Sequence, residues 1–134
     1  MYNKIIIASA LDQGFMAKAL DVAKALLAQN GQITVVHVLE PVNNVVQSFI
    51  TSDFEAKTLA RAEEMMAERL KDETGIESVI LNGQAAKELS EYARNIDADC
   101  IVMGSHKPGL EDYFIGSTSG RVVRHAPCCV HVLR

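Results

Sequence analysis

The stretch that decides the fold runs from Ile5 to Val38, IIIASALDQGFMAKALDVAKALLAQNGQITVVHV. It opens on Ile5-Ile6-Ile7-Ala8, a short run of mostly β-branched residues without polar alternation. That pattern marks a strand covered on both faces, as in a parallel sheet. From about Gly14 to Ala28, Phe15, Ala19, Val22, Ala23, Leu26 and Leu27 recur at helical spacing, and Asn30-Gly31 supplies turn residues that stop a helix. Ile33-Thr34-Val35-Val36-His37-Val38 is a second strand, and Pro41 ends it. A strand, a helix and a strand in this order form the crossover that parallel neighbours require.

The alternation continues to the end of the chain. Residues 40–51 carry Pro41 and two Asn without a regular period and read as a loop. Thr51-Ser52-Asp53 can cap a helix in which Leu59, Ala62, Met66 and Leu70 repeat at three and four, with Glu63, Glu64, Glu68, Arg69 and Lys71 on the wet face. Thr74-Gly75 closes it. A third strand follows at Ser78 to Leu81, then a helix from Ala85 to Ile96 with Ala86, Leu89, Ala93 and Ile96 inward. Cys100 to Met103 is a fourth strand, Ser117 to His125 a last helix and Cys129 to Leu133 a last strand. The predicted fold is α/β: a five-stranded parallel sheet, doubly wound, with helices on both faces in a three-layer sandwich. A length of 134 residues suits one domain spanning 1–134. In such sheets ligands sit outside the carboxyl ends of the strands, where the strand order reverses.

Composition removes several classes of function. Thirteen Lys and Arg against 17 Asp and Glu give a net charge of −4 with no long basic run, which argues against a nucleic-acid partner. No apolar run approaches the ~20 residues of a membrane helix, and the polar start Met1-Tyr2-Asn3-Lys4 lacks a signal peptide's apolar region. The expectation is therefore no membrane and a cytoplasmic location. Cys100, Cys128 and Cys129 form no CxxC pair and are odd in number, which points to reduced thiols. His125, Cys128, Cys129 and His131 crowd seven residues and offer soft ligands. On a strand, however, Cys129 and His131 share one face while Cys128 lies on the other, so no metal site is expected. His37, within an apolar strand, reads as a hydrogen-bonded core histidine.

The chemistry is concentrated after the fourth strand, in Met103-Gly104-Ser105-His106-Lys107-Pro108-Gly109-Leu110-Glu111-Asp112-Tyr113-Phe114-Ile115-Gly116-Ser117-Thr118-Ser119. Gly104 would let backbone approach a ligand, and Gly116-Ser117-Thr118-Ser119 opens a helix whose first N–H groups and hydroxyls suit an anion. By residue type alone, the segment is equally two turns and an N-cap. The P-loop and dinucleotide glycine motifs are both absent.

Met-Gly-Ser-His, a spacer of about ten residues, Gly-Ser before a helix and the ending His125-Ala126-Pro127-Cys128-Cys129-Val130-His131-Val132-Leu133-Arg134 together resemble the universal stress protein family over the whole chain. Ser-His-Lys-Pro-Gly-Leu, Tyr113 and Gly116-Ser117 are similar to a small single-domain subgroup with Ser-His-Arg-Pro at this place. The resemblance implies an adenine nucleotide, ATP or AMP, as a regulatory ligand. It would place Ala8 and Val38 beside the adenine, Met103 and Gly104 on base and ribose, His106 and Lys107 toward the phosphates, and Gly116, Ser117, Thr118 and Ser119 on phosphate oxygens. Glu111 and Asp112 could hold Mg²⁺ there, solvated loop carboxylates being the plain alternative. It further implies a homodimer through the final strand at Val130, His131 and Val132.

The sequence departs from that pattern at Ala10, where the family's first strand usually ends in an Asp that hydrogen-bonds the nucleotide; Asp12 lies two positions on. No Ser, His and carboxylate set is placed in one site, so no catalytic residue is assigned. A nucleotide-free dimeric adaptor acting through protein contacts is the alternative function, and a weak ATPase the third.

Overall fold

The computed structural model describes residues 1–9, 11, 13–41, 52–105 and 115–134. In chain order the elements are β1 (Tyr2–Ala8), α1 (Gln13–Leu26), β2 (Leu27–Leu39), α2 (Ser52–Leu70), β3 (Ile76–Asn82), α3 (Ala85–Asn95), β4 (Cys100–Gly104), α4 (Ser117–His125) and β5 (Cys129–Leu133). All four strand pairings are parallel, in the order β3-β2-β1-β4-β5. β1 is central, and the chain leaves it toward β2 first and returns on its other side as β4. The order therefore reverses between β1 and β4.

The apolar run of β1 is continuous because each face is covered. Ile5 and Ile7 pack with Ile33, Val35 and Val102 beneath Met16, Ala19, Leu20 and Ala23 of α1 and Ala62 and Met66 of α2. Ile6 faces the opposite way and packs with Val36, Ile101 and Met103 beneath Ala86, Leu89 and Ala93 of α3 and Val122 of α4. Each fully buried Ile contributes roughly 1.5–3 kcal/mol, which makes this strand the spine of both cores.

Helix α1 stops earlier than its periodicity indicates, at Leu26, and Asn30-Gly31 falls inside β2. Leu27 already pairs with Tyr2, the pairing slips, and Gln32 resumes opposite Lys4. Gly31 lies in this bulge against the Leu27 side chain, 2.6 Å from where its own Cβ would stand. The turn residues thus make a bulge instead of a helix stop. Met16 and Leu20 join the core although the apolar spacing from Phe15 passes over them.

At the amino edge of the sheet, the Asp99 carboxylate fastens β1. Its Oδ2 accepts the Asn3 and Lys4 amide N–H groups at 2.8 and 2.9 Å, and its own N–H donates to the Lys4 carbonyl at 2.9 Å. Those backbone donors of Lys4 and Asn3 hold the Asp99 carboxyl below its ordinary range. Among the described residues no helix is long and apolar enough to cross a membrane.

Candidate functional site

The reversal of strand order between β1 and β4 opens the crevice in which open α/β sheets place ligands. Its floor is formed by alternation along three neighbouring strands. Ala8, Val38 and Met103 all lie on the face that carries α3 and α4. Ala8 follows Ile7, the partner of Val102, so it stands level with Met103. The three residues form an apolar row across β2, β1 and β4 at the carboxyl edge. Met103 is buried, while Ala8 and Val38 are half-buried and leave surface to cover.

Two helices on this face begin at the carboxyl edge, and they differ electrostatically. The start of α3 is already served by carboxylates. Glu40 Oε1 accepts the Ala85 N–H at 3.2 Å, and Glu88, in the first turn, lies over Gly83 with Oε1 2.6 Å from where a Cβ would stand. α4 carries no acidic residue in its first turn and begins on Gly116, which has no side chain to cap it. The first N–H to find an intrahelical acceptor is that of Gly120, which donates to the Gly116 carbonyl at 2.8 Å. The N–H groups of Ser117, Thr118 and Ser119 precede it at the positive end of the helix dipole, an arrangement that favours an anion.

This helix start is bolted to β4. The Gly116 N–H donates to the Ser105 carbonyl at 2.6 Å, and the Ser119 hydroxyl donates to the Gly104 carbonyl at 2.6 Å. The Ser105 N–H donates to the Leu133 carbonyl at 2.8 Å, which extends the bracket to β5. Ser119 is buried, Thr118 half-buried and Ser117 exposed. Of the three hydroxylated residues, Ser117 therefore presents its side chain outward, whereas the Ser119 hydroxyl is engaged with the strand. Gly116 has φ −62°, a conformation open to any residue, so its lack of a side chain matters for space and not for backbone strain.

On the other side of the row, the β1–α1 connection turns sharply. Leu11 is buried at φ 64°, in the left-handed region that a branched side chain rarely enters. Two contacts hold it: its N–H donates to Ser9 Oγ at 2.9 Å and its carbonyl accepts Arg69 Nε at 3.4 Å, while the Ser9 N–H donates to the Val36 carbonyl at 2.9 Å. His37 Nδ1 lies 2.7 Å from the Ser9 carbonyl. A carbonyl only accepts, so Nδ1 carries the proton and His37 braces this turn, in keeping with its structural reading.

The expected site residues Ala8, Val38, Met103, Gly104, Gly116, Ser117, Thr118 and Ser119 thus gather at one edge. His106, Lys107, Glu111, Asp112, Tyr113, Ala10 and Asp12 lie outside the described residues. Ser9, Ser105 and Arg69 have bracing roles that the sequence reading did not assign. For Ser9 a signal existed, since a serine two residues before a turn commonly accepts the backbone N–H there. Val130 and Val132 are half-buried and His131 is exposed on β5, an edge strand of the sheet. Among the described residues no three His, Cys, Asp or Glu side chains are grouped to hold a metal ion.

The arrangement defines a class: doubly wound α/β proteins with a β1/β4 switch point and, beside it, a helix start free of acidic residues. Within it, the chain belongs to the universal stress protein family, which it matches over residues 1–134. It is similar to the universal stress protein in the QAH/OAS sulfhydrylase 3′ region of Thermus aquaticus, 34% identical over 122 residues that cover 87% of this chain and 88% of that one. The fold is that of universal stress protein UspA from Lactobacillus plantarum, at a TM-score of 0.77 and 23% identity over 99% of this chain and 98% of that one. Two further structures of the same fold were solved with nucleotides. One is a universal stress protein in complex with cAMP (TM-score 0.67, 20% identity, 99% and 97% of the two chains). The other is the Archaeoglobus fulgidus universal stress protein in complex with dAMP (TM-score 0.62, 18% identity, 99% and 98%).

Proposed function

We propose that this universal stress protein binds an adenine nucleotide, ATP or AMP, as a regulatory ligand at the carboxyl edge of β1 and β4, as a single cytoplasmic domain that turns nothing over. The observation that carries the reading is the start of α4, which has no first-turn acid and stands beside the apolar row Val38, Ala8 and Met103. The row suits a flat apolar base, and the N–H groups of Ser117, Thr118 and Ser119 suit phosphate oxygens. The family resemblance assigns His106 and Lys107, which follow Gly104 and Ser105 in sequence, to the phosphates as well. The cAMP and dAMP complexes of related structures support the same class of ligand.

Titration calorimetry with ATP, AMP and adenosine tests the reading. ATP binds more tightly than adenosine, and Ser117→Ala weakens ATP while leaving adenosine nearly unchanged. Ala10→Asp restores the carboxylate usual in the family and strengthens ATP and AMP alike. A hydrogen bond to a charged group contributes roughly 1.5–3 kcal/mol, about ten- to a hundredfold in affinity. Absence of binding by both wild type and Ala10→Asp overturns the nucleotide reading and leaves the adaptor function.

We also infer a homodimer in which the β5 strands of two copies pair through Val130, His131 and Val132. β5 ends the sheet, and an uncovered strand edge is an aggregation hazard that pairing removes. Sedimentation of a monomer at micromolar concentration refutes it.

A further inference from the structure

At the amino end of β4 and β5, at the opposite end of the strands from the carboxyl edge and next to the β5 segment inferred to pair in the dimer, lies a second chemical cluster. Cys100 and Cys129 are register partners on adjacent strands. Side chains of register partners lie on the same face of a sheet, and neighbouring strands run about 4.8 Å apart, within the ~4.4–6.8 Å between Cα atoms that a disulfide spans. Cys100 is buried in the core under α1, and Cys129 is exposed. The neighbouring Cys129 side chain holds the Tyr2 phenol protonated above its ordinary range. Cys128, the next residue along, packs into the opposite core beneath α3 and α4.

We propose that Cys129 and Cys100 form a peroxide-responsive thiol pair that closes to a disulfide across β4 and β5. Cys129, whose side chain points to a sheet face and not along the strand edge, is the exposed thiol of the single chain. Its sulfur attacks a peroxide oxygen, so that an S–O bond forms and the O–O bond breaks. The leaving oxygen departs as water or an alcohol with the Cys129 proton, and sulfur loses two electrons to the peroxide. The Cys100 sulfur then attacks the sulfenic sulfur of Cys129: the S–S bond forms, the S–O bond breaks, and the hydroxyl leaves as water with the Cys100 proton. Burial pushes the Cys100 thiol up to about 11. Thiolates are the attacking species, so burial of Cys100 disfavours the species that the second step needs. Burial likewise raises Cys128, whose side chain faces away from the pair.

The test treats the full-length reduced protein with hydrogen peroxide and follows intact mass and non-reduced peptides. The wild type settles 2 Da below the reduced mass with a link between the Cys100 and Cys129 peptides, and dimedone present during the oxidation labels Cys129. Cys128→Ser closes as the wild type does, and Cys129→Ser does not close. Cys100→Ala stops at the dimedone-reactive form and proceeds to the sulfinic acid. Closure that persists in Cys129→Ser, a link between two copies of the chain, or no 2 Da loss at any peroxide concentration overturns the proposal. Should Cys100→Ala fail to fold, the Cys128→Ser and Cys129→Ser pair decides alone, since both positions lie outside the fully buried core.

Discussion

Replacing Ser119 by alanine separates the two uses of hydroxyl groups at the start of α4. The Ser119 hydroxyl is 4% exposed as a residue and donates to the Gly104 carbonyl at 2.6 Å. Its removal takes a donor from a carbonyl at the end of β4, and a lost buried hydrogen bond of this kind costs about 1–2 kcal/mol. With an unfolding entropy of about 2.1 cal/mol/K per residue, a chain of 134 residues has roughly 0.28 kcal/mol/K in total. The expected drop in Tm is therefore about 4–7 °C. Ser117, exposed at the first helical position, should change stability by no more than about 0.5 kcal/mol when made alanine, under about 2 °C. Thermal unfolding by circular dichroism of both variants, with ATP titrations of each, measures the contrast. An unchanged Tm for Ser119→Ala beside a drop of several degrees for Ser117→Ala would refute the assignment, because it would mean that the exposed hydroxyl holds the helix.

Three further substitutions probe the frame around the site. Gly31→Ala places a Cβ 2.6 Å from Leu27 Cδ1 and 3.0 Å from the Asn3 carbonyl, and such overpacking should lower the free energy of urea unfolding by about 1–3 kcal/mol. Ser90→Ala should stabilise by roughly 1 kcal/mol, seen as a higher urea midpoint, because its buried hydroxyl finds no partner among the described residues and alanine is the better helix former. Asp99 has a depressed pKa, so its contribution is present above the unfolded value of about 3.9 and is lost as pH falls through the folded value. Asp99→Asn should accordingly unfold at lower urea than wild type at pH 7, with the gap closing below about pH 4; a gap of equal size at pH 3 contradicts the mechanism.

The described sheet and helices were legible because each rests on a period: runs of Ile and Val for strands, spacings of three and four for helices. Ala8, Val38 and Met103 were brought together by the family resemblance, and alternation along the strands puts them on one face. What the sequence left open depends on how elements dock. In Ser117-Thr118-Ser119 all three residues carry hydroxyls, and only the rotation of α4 against β4 decides that Ser119 turns inward. Asn30-Gly31 carries the composition of a helix stop, yet pairing of Leu27 with Tyr2 ends the helix four residues earlier than that pair and makes a bulge of it. Leu11 gives no sign of its left-handed backbone, since a leucine there is held by Ser9, Arg69 and its own burial.

The central place of β1 has a consequence for the order in which the molecule assembles. Pairing with β2 joins segments close in the chain, whereas the Asp99 clamp joins residues 96 positions apart. Contacts that close so long a loop pay chain entropy before they are rewarded, and they form late. During synthesis, β1, β2 and β3 are available as a half-sheet with one side of β1 open until β4 emerges. The row Val38, Ala8 and Met103 is therefore completed only when β4 joins β1, and α4, which follows β4 in the chain, docks after it. A ligand that spanned the row would join β1 and β2 of the early half to β4 of the late one, and so would slow the reopening of β4 from β1.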